Sequence, residues 1–159
     1  MEEILNRLEE LNITYEVVKH EAVYNMEEMD ALNSKIFKGA AICKNLFLRD
    51  QKGKRHFLVV LKEEKQANLL ELSKELLSTK LSFASSERLM KYLGVIPGAV
   101  TPISIINDKE KEVEIILDKD LLKEERLGVH PGVNTATIIL SPIDLEKYIK
   151  ENGNKLKLI

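Results

Sequence analysis

The sequence predicts an α+β domain, a mixed, barrel-like curved β-sheet flanked by helices. Three observations predict it. Apolar residues recur at helical spacing in some segments and alternate in others. The two kinds of segment are interleaved, in the order βα-ββ-αα-ββ-β-α after a first helix. No internal repeat, low-complexity tract or linker divides the 159 residues, so residues 1–159 are expected to form a single domain.

The elements follow in chain order. Ile4, Leu5, Leu8 and Leu11 share one helical stripe, which predicts a helix over 2–11 ending near Asn12. Ile13, Tyr15 and Val17 alternate with Thr14 and Glu16, the period of a half-buried strand. Asn25 with Glu28 resembles a capping box and opens a short helix carrying Met26, Met29 and Leu32. Strand-like runs at 40–49 and 55–61 flank the turn 50–54, which contains Gly53, and so predict a hairpin. Asn68 to Leu77 is helical, with Leu69, Leu72 and Leu76 aligned. Ser85 or Ser86 caps a further helix through Leu93, and Gly94 is placed to end it. A second hairpin is expected from 103–106, the turn 107–111 and the alternating run Val113, Ile115, Leu117. Residues 135–140 are β-rich, and Ser141-Pro142 starts a last helix that Gly153 stops.

Composition bounds the function. The chain carries 24 Lys+Arg against 26 Asp+Glu, a formal charge of −2, which excludes a uniformly basic nucleic-acid binder. Residues 38–65 nevertheless hold eight basic side chains against three acidic ones, a local balance of +5, whereas residues 1–37 hold nine acidic against three basic. A 44% hydrophobic content excludes wholesale disorder, and no apolar run reaches the ~18–20 residues of a membrane span. With one cysteine, Cys43, and an acidic N-terminus, a soluble protein of the reducing cytoplasm is expected.

Three features break the structural pattern. Lys44 lies between Ile42 and Leu46 on the strand face that the pattern turns inward, so it needs an anion or a functional cavity; a snorkelling or carboxylate-paired lysine is the ordinary alternative. His130 is fixed by Pro131 and flanked by Gly128 and Gly132, a setting that selects one ring nitrogen for chemistry, although a structural loop histidine also fits. Gly98-Ala99-Val100-Thr101-Pro102 can turn several backbone N–H groups toward an anion, or can be an ordinary loop. His20 and His56 have no such settings and read as surface or core-edge residues. There is no nucleophile elbow, phosphate loop, metal helix or zinc spacing, and Cys43, on the face opposite Lys44, reads as an inert buried thiol.

Four strings occur in order: Lys44-Asn45-Leu46-Phe47-Leu48, Lys80-Leu81-Ser82-Phe83-Ala84-Ser85, Gly94 to Pro102, and Gly128-Val129-His130-Pro131 with Asn134-Thr135-Ala136-Thr137. Together they resemble the YbaK/ProX family of aminoacyl-tRNA deacylases, and most of all its free-standing branch that clears alanine mischarged onto the proline tRNA. The likeness runs from about residue 3 to residue 150. It implies the curved sheet of the prolyl-tRNA synthetase editing domain and a metal-free, cofactor-free hydrolase of the ester at the 3′-terminal adenosine. On this chain it implies that Lys44 engages the terminal phosphate or the substrate's polar groups, with Asn45 in support. Gly98, Ala99, Val100, Thr101 and Pro102 would offer backbone donors to the scissile carbonyl. His130 would sit by the aminoacyl group, with Gly128 and Asn134 lining the site, and the attacking water would be activated with help from the tRNA ribose hydroxyl.

Strict alternation leaves Asn45 opposite Lys44, so its support requires a bulge or a backbone role. A small amino-acid pocket walled by Met26, Met29 and Leu32 is expected to admit alanine and exclude proline. The expected partners are the acceptor end of mischarged tRNA(Pro) and a prolyl-tRNA synthetase, with no membrane and no DNA. The alternatives are a Cys-, Ser- or Thr-tRNA deacylase of the same family, a non-catalytic tRNA-binding or regulatory module, and an α+β domain for an unrelated ligand.

Overall fold

In the computed structural model, which describes residues 1–22 and 39–159, three of the four described α-helices begin at a side chain that caps them. Helix α1 (Glu2–Glu10) buries Ile4 and Leu8. Helix α2 (Leu69–Glu75) starts at Asn68, whose side chain accepts from Glu71 N–H at 3.1 Å. Helix α3 (Ser86–Leu93) is capped by Ser85 and closed by Gly94, whose φ of 66° is left-handed. Helix α4 (Pro142–Asn152) is capped by Ser141 and closed by Gly153.

The strands are β1 (Tyr15–Lys19), β2 (Ala41–Arg49), β3 (His56–Lys62), β4 (Ser82–Phe83), β5 (Val113–Leu117), β6 (Leu127–Val129), β7 (Ala136–Leu140) and β8 (Leu156–Leu158). They form one mixed sheet in the order β1-β7-β6-β2-β3-β5-β8, with β4 added to β2. Pairing is antiparallel for β1/β7, β6/β7, β2/β3 and β2/β4, and parallel for β2/β6, β3/β5 and β5/β8. The curved, helix-flanked sheet expected from the sequence is therefore present. No helix among the described residues is long and apolar enough to cross a membrane.

Both faces of the sheet are packed. The main core gathers Cys43, Phe47, Leu58, Val60, Ile115 and Leu127 with residues of α1, α3 and α4. A smaller cluster on the other face joins Leu48, Phe57, Val59 and Leu61 to Leu72, Leu76 and Leu81. This corrects the facing read from the pattern. The face holding Lys44, Leu46 and Leu48 lies under the smaller cluster, while Cys43 and Phe47 enter the main core. Alternation cannot select an interior when both faces are covered, and β3, buried at six successive positions, shows the same two-sided burial.

The expected strand at 103–106 is instead part of a 3₁₀ helix, Pro102–Asn107. Ile103, Ser104 and Ile105 are all buried, so the run has no exposed face. Its carbonyls are met by α4 and not by a strand: Tyr148 Oη donates to Ile103 O at 2.7 Å and Asn152 Nδ2 to Ile105 O at 2.9 Å. The predicted turn after it holds, organised by Asp108, whose carboxylate accepts from the N–H groups of Glu112 and Val113. A second 3₁₀ helix, Lys119–Lys123, follows β5.

Candidate active site

Strand pairing sets the segments that lead to Lys44 and to His130 side by side. Parallel strands β2 and β6 set Ala41 against Leu127 and Ile42 against Gly128. In-register neighbours share a face, and here the contact is direct. A Cβ on Gly128 would lie 2.5 Å from Ile42 Cδ1 and 3.2 Å from Thr137 Cγ2, so only glycine leaves these side chains their room. Lys44 and His130 each lie two residues beyond this pair, on segments that run in the same direction. Glycine at 128 thus has a physical reason that its sequence context alone did not give.

Lys44 is half-buried, and its ammonium donates to the carbonyl oxygen of Lys65 in the β3–α2 connection. It makes no ion pair among the described residues. The anion partner that its position calls for is therefore not a carboxylate of the described chain. His130 has a buried Nδ1 without a hydrogen-bond partner. Burial holds its imidazole below the ordinary histidine range; the Ala136 backbone opposes this, and neighbouring His20 pushes the same way as burial.

His20 is a neighbour of His130 that spacing did not reveal. Its Nδ1 lies 2.7 Å from the Glu21 carbonyl and its Nε2 2.9 Å from Thr137 Oγ1. A carbonyl only accepts, so in the neutral ring Nδ1 carries the proton and Nε2 accepts from the Thr137 hydroxyl. Thr137, 2% exposed, stands across Gly128 from Ile42. The two halves of this contact are 117 residues apart, and no local signal foretells it.

The remaining sequence-chosen residues divide. Gly98 is exposed with φ 90°, a conformation that favours glycine, and nothing lies within 4 Å of its missing side chain. Ala99 N–H is committed to the Ile96 carbonyl at 3.1 Å, while the N–H groups of Gly98 and Val100 carry no such bond among the described residues. Thr101 is fully buried with an unpartnered Oγ1, and Pro102 begins the 3₁₀ helix. The loop after His130 packs toward this region, since a side chain on Gly132 would touch Val95 and Ile4. Asn134 is half-buried in that loop. Asn45 stays opposite Lys44: the β2/β3 register runs unbroken from Cys43 to Arg49, so no bulge turns it, and its Oδ1 is buried without a partner. Met26, Met29 and Leu32 lie outside the described residues.

Cys43 is buried, and desolvation, reinforced by Asp118, pushes its thiol up to about 12, as an inert thiol should be. His56 departs from the surface or core-edge reading. It is 1% exposed, stacked against Phe47 and Tyr92, with Nε2 3.0 Å from Arg88 Nη1. Above it the basic hairpin closes on α3. A Cβ on Gly53 would lie 2.8 Å from Arg88 Nη2 and 2.9 Å from Arg49 Nη2, so two guanidinium groups converge over the turn. Among the described residues neither has a carboxylate within 4.0 Å. Of the cations in the basic segment 38–65, Arg55, Lys62 and Lys65 are ion-paired, whereas Arg49, joined here by Arg88 of α3, is not.

Burial, followed by the Arg88 charge, depresses the His56 imidazole to about 4. Unfolded His56 takes up a proton near its ordinary value while the folded ring stays neutral. The corresponding stability is complete above about pH 6.5 and is lost as pH falls toward 4, an effect of up to ~3 kcal/mol. Urea midpoints measured across that window should fall for the wild type, and a His56→Phe variant should lack this part of the slope. Parallel slopes would contradict the burial argument.

Comparison with known proteins follows the same lines. Residues 20–148 match the model of the family described as an aminoacyl-tRNA editing domain. The chain is 46% identical over 156 residues to the prolyl-tRNA editing protein ProX of Acetoanaerobium sticklandii, covering 98% of this chain and 94% of that one. It is 38% identical to the prolyl-tRNA synthetase associated domain-containing protein 1 of Mus musculus, with 96% and 90% covered. In fold it is similar to the crystal structure of a proposed trans-editing enzyme for prolyl tRNA synthetase, with TM-score 0.75, 20% identity and 98% and 92% covered.

Proposed function

The chain belongs to the aminoacyl-tRNA editing family, and on that footing we propose that it is a trans-editing hydrolase that removes alanine from mischarged tRNA(Pro). The observation that supports this reading is the parallel β2/β6 pairing: Lys44, a cation with no carboxylate partner among the described residues, and His130, whose imidazole burial holds below the ordinary histidine range, each lie two residues past the Ile42–Gly128 pair. In this reading Lys44 leaves the Lys65 carbonyl for the phosphate or ester of the 3′-terminal nucleotide. Water adds to the ester carbon and the carbonyl oxygen becomes an oxyanion. The N–H groups of Gly98 and Val100 and the Lys44 ammonium stabilise that charge. The bond to the ribose oxygen then breaks, and the leaving oxygen takes up a proton. His130 orders the aminoacyl group and the water through its one unpartnered nitrogen. The converging Arg49 and Arg88 supply a cationic contact for the RNA backbone at the other end of β2. Such an enzyme works in the cytoplasm, where its tRNA is, and docking to a prolyl-tRNA synthetase is part of the same proposal.

Selectivity rests on size. Forcing proline's extra ring carbons into a pocket shaped for one methyl costs about 1–3 kcal/mol per misfit, enough for discrimination on the order of a hundredfold. Alanyl-tRNA(Pro) and prolyl-tRNA(Pro) assayed side by side should show rapid loss of the first and survival of the second. Equal hydrolysis of both, or of neither, rejects the assignment. Cysteinyl-, seryl- and threonyl-tRNA in the same panel decide among the related substrates.

A further inference from the structure

The connection that holds Lys44 also holds the carboxylate best placed to neutralise it. Lys44 is opposite Leu61 in the β2/β3 ladder, and β3 runs parallel to β5 with Val60 against Leu117. Asp118 N–H continues that ladder to the Val60 carbonyl at 3.0 Å. Lys44, Leu61 and Asp118 therefore stand in one row across three strands and on one face, with Lys44 and Asp118 about 10 Å apart at their Cα atoms, two strand spacings. That gap is within the combined reach of a lysine and an aspartate. Asp118 is 3% exposed, and an unpaired carboxylate in such a place draws in the nearest available cation.

It does not draw in Lys44, because Lys65 is already there. Lys65 Nζ lies 2.9 Å from both Asp118 oxygens and 2.6 Å from Asp120 Oδ2, while its own main-chain carbonyl accepts from Lys44. The neighbouring charges are otherwise engaged. Asp120 also pairs with Lys123, and Lys62, on the opposite face beside Cys43, pairs with Glu124 and Glu64. One residue thus offers Lys44 a neutral perch and withholds the acid from it.

We propose that Lys65 is a positioning residue for the reaction: by occupying the buried Asp118 carboxylate it keeps the Lys44 ammonium free for an anionic substrate. The inference rests on the hydrolase reading above, and adds that Lys44 is protected from a competing ion pair inside its own protein. A substrate then displaces only a carbonyl contact when it binds.

The test is a cycle of variants, Lys65→Met, Lys65→Arg, Asp118→Asn and Lys65→Met with Asp118→Asn, each checked for a cooperative melt. With alanyl-tRNA(Pro), Lys65→Met should lose about tenfold in kcat/KM, and Asp118→Asn added to it should recover activity to within about threefold of wild type. Lys65→Arg and Asp118→Asn alone should stay near wild type. A crystal structure of the Lys65→Met protein should place Lys44 Nζ within ion-pair distance of Asp118. Wild-type activity in Lys65→Met, no recovery in the double variant, or Lys44 still on the residue-65 carbonyl each overturns the proposal. If the wild-type protein hydrolyses no aminoacyl-tRNA, the functional reading falls separately, and the position of Lys44 in that crystal still decides this one.

Discussion

Replacing Lys44 with alanine should abolish turnover while leaving the fold intact. Removal of a single preorganised charge from a developing oxyanion or a bound phosphate lowers the rate by on the order of 10²–10³. The structural loss is small by comparison. Lys44 is half-buried, carries no ion pair among the described residues and donates one hydrogen bond to a backbone carbonyl. A deletion of that kind costs about 1 kcal/mol of stability. Single-turnover deacylation of alanyl-tRNA(Pro) beside a thermal melt separates the two effects. A Lys44→Ala enzyme with wild-type turnover would make the residue structural and would sink the site assignment with it. The same experiment rejects the reading of the chain as a non-catalytic tRNA-binding module if wild type turns over and the variant does not.

The second large effect is expected at Gly128, which makes no polar contact through a side chain at all. Valine there must place its branches where Ile42 Cδ1 and Thr137 Cγ2 already stand. Ile42 Cδ1 is the end of a flexible chain, but Thr137 is branched at Cβ and its hydroxyl is tied to His20. Overpacking of this kind costs about 1–3 kcal/mol, and here the strain falls between β2, which carries Lys44, and β6, which leads to His130. Gly128→Val should therefore lower the urea midpoint and cut kcat by more than the loss of folded protein explains. Adding Ile42→Ala to the milder Gly128→Ala should restore much of the stability. Wild-type stability and rate in Gly128→Val would show that the β2/β6 spacing does not control the site.

Much of the fold was legible because its signals are local. Ser85 and Gly94 bracket α3 and Ser141, Pro142 and Gly153 bracket α4 in the structure as in the sequence, since caps act within a turn of the residues they satisfy. Three-residue strands such as β6 and β8, and the two-residue β4, carry too little period to be seen, and exist only through partners far along the chain. The segment 103–106 has strand-like composition, but α4 meets its carbonyls first. Lys44 and His130 stood out because each breaks a pattern. His20 and Lys65 did not, because an unremarkable histidine and one lysine among many acquire meaning only from Thr137 and Asp118. A site assembled from parallel strands is distributed in sequence by necessity, and pairwise contact is the one property that a single chain read in order withholds.

The position of β2 has a consequence for how the molecule loses activity. This strand is hydrogen-bonded to β3, β4 and β6 and is the link between the two halves of the sheet. Its amide protons can exchange with solvent only when several neighbours separate together. Fraying of an edge strand such as β8 leaves Lys44 in register, whereas any opening that frees Lys44 divides the sheet. Lys44 therefore sits in the part of the sheet expected to open last. Partly unfolded forms that keep β2 paired should keep Lys44 in place, and inactivation is expected to coincide with the loss of the whole domain.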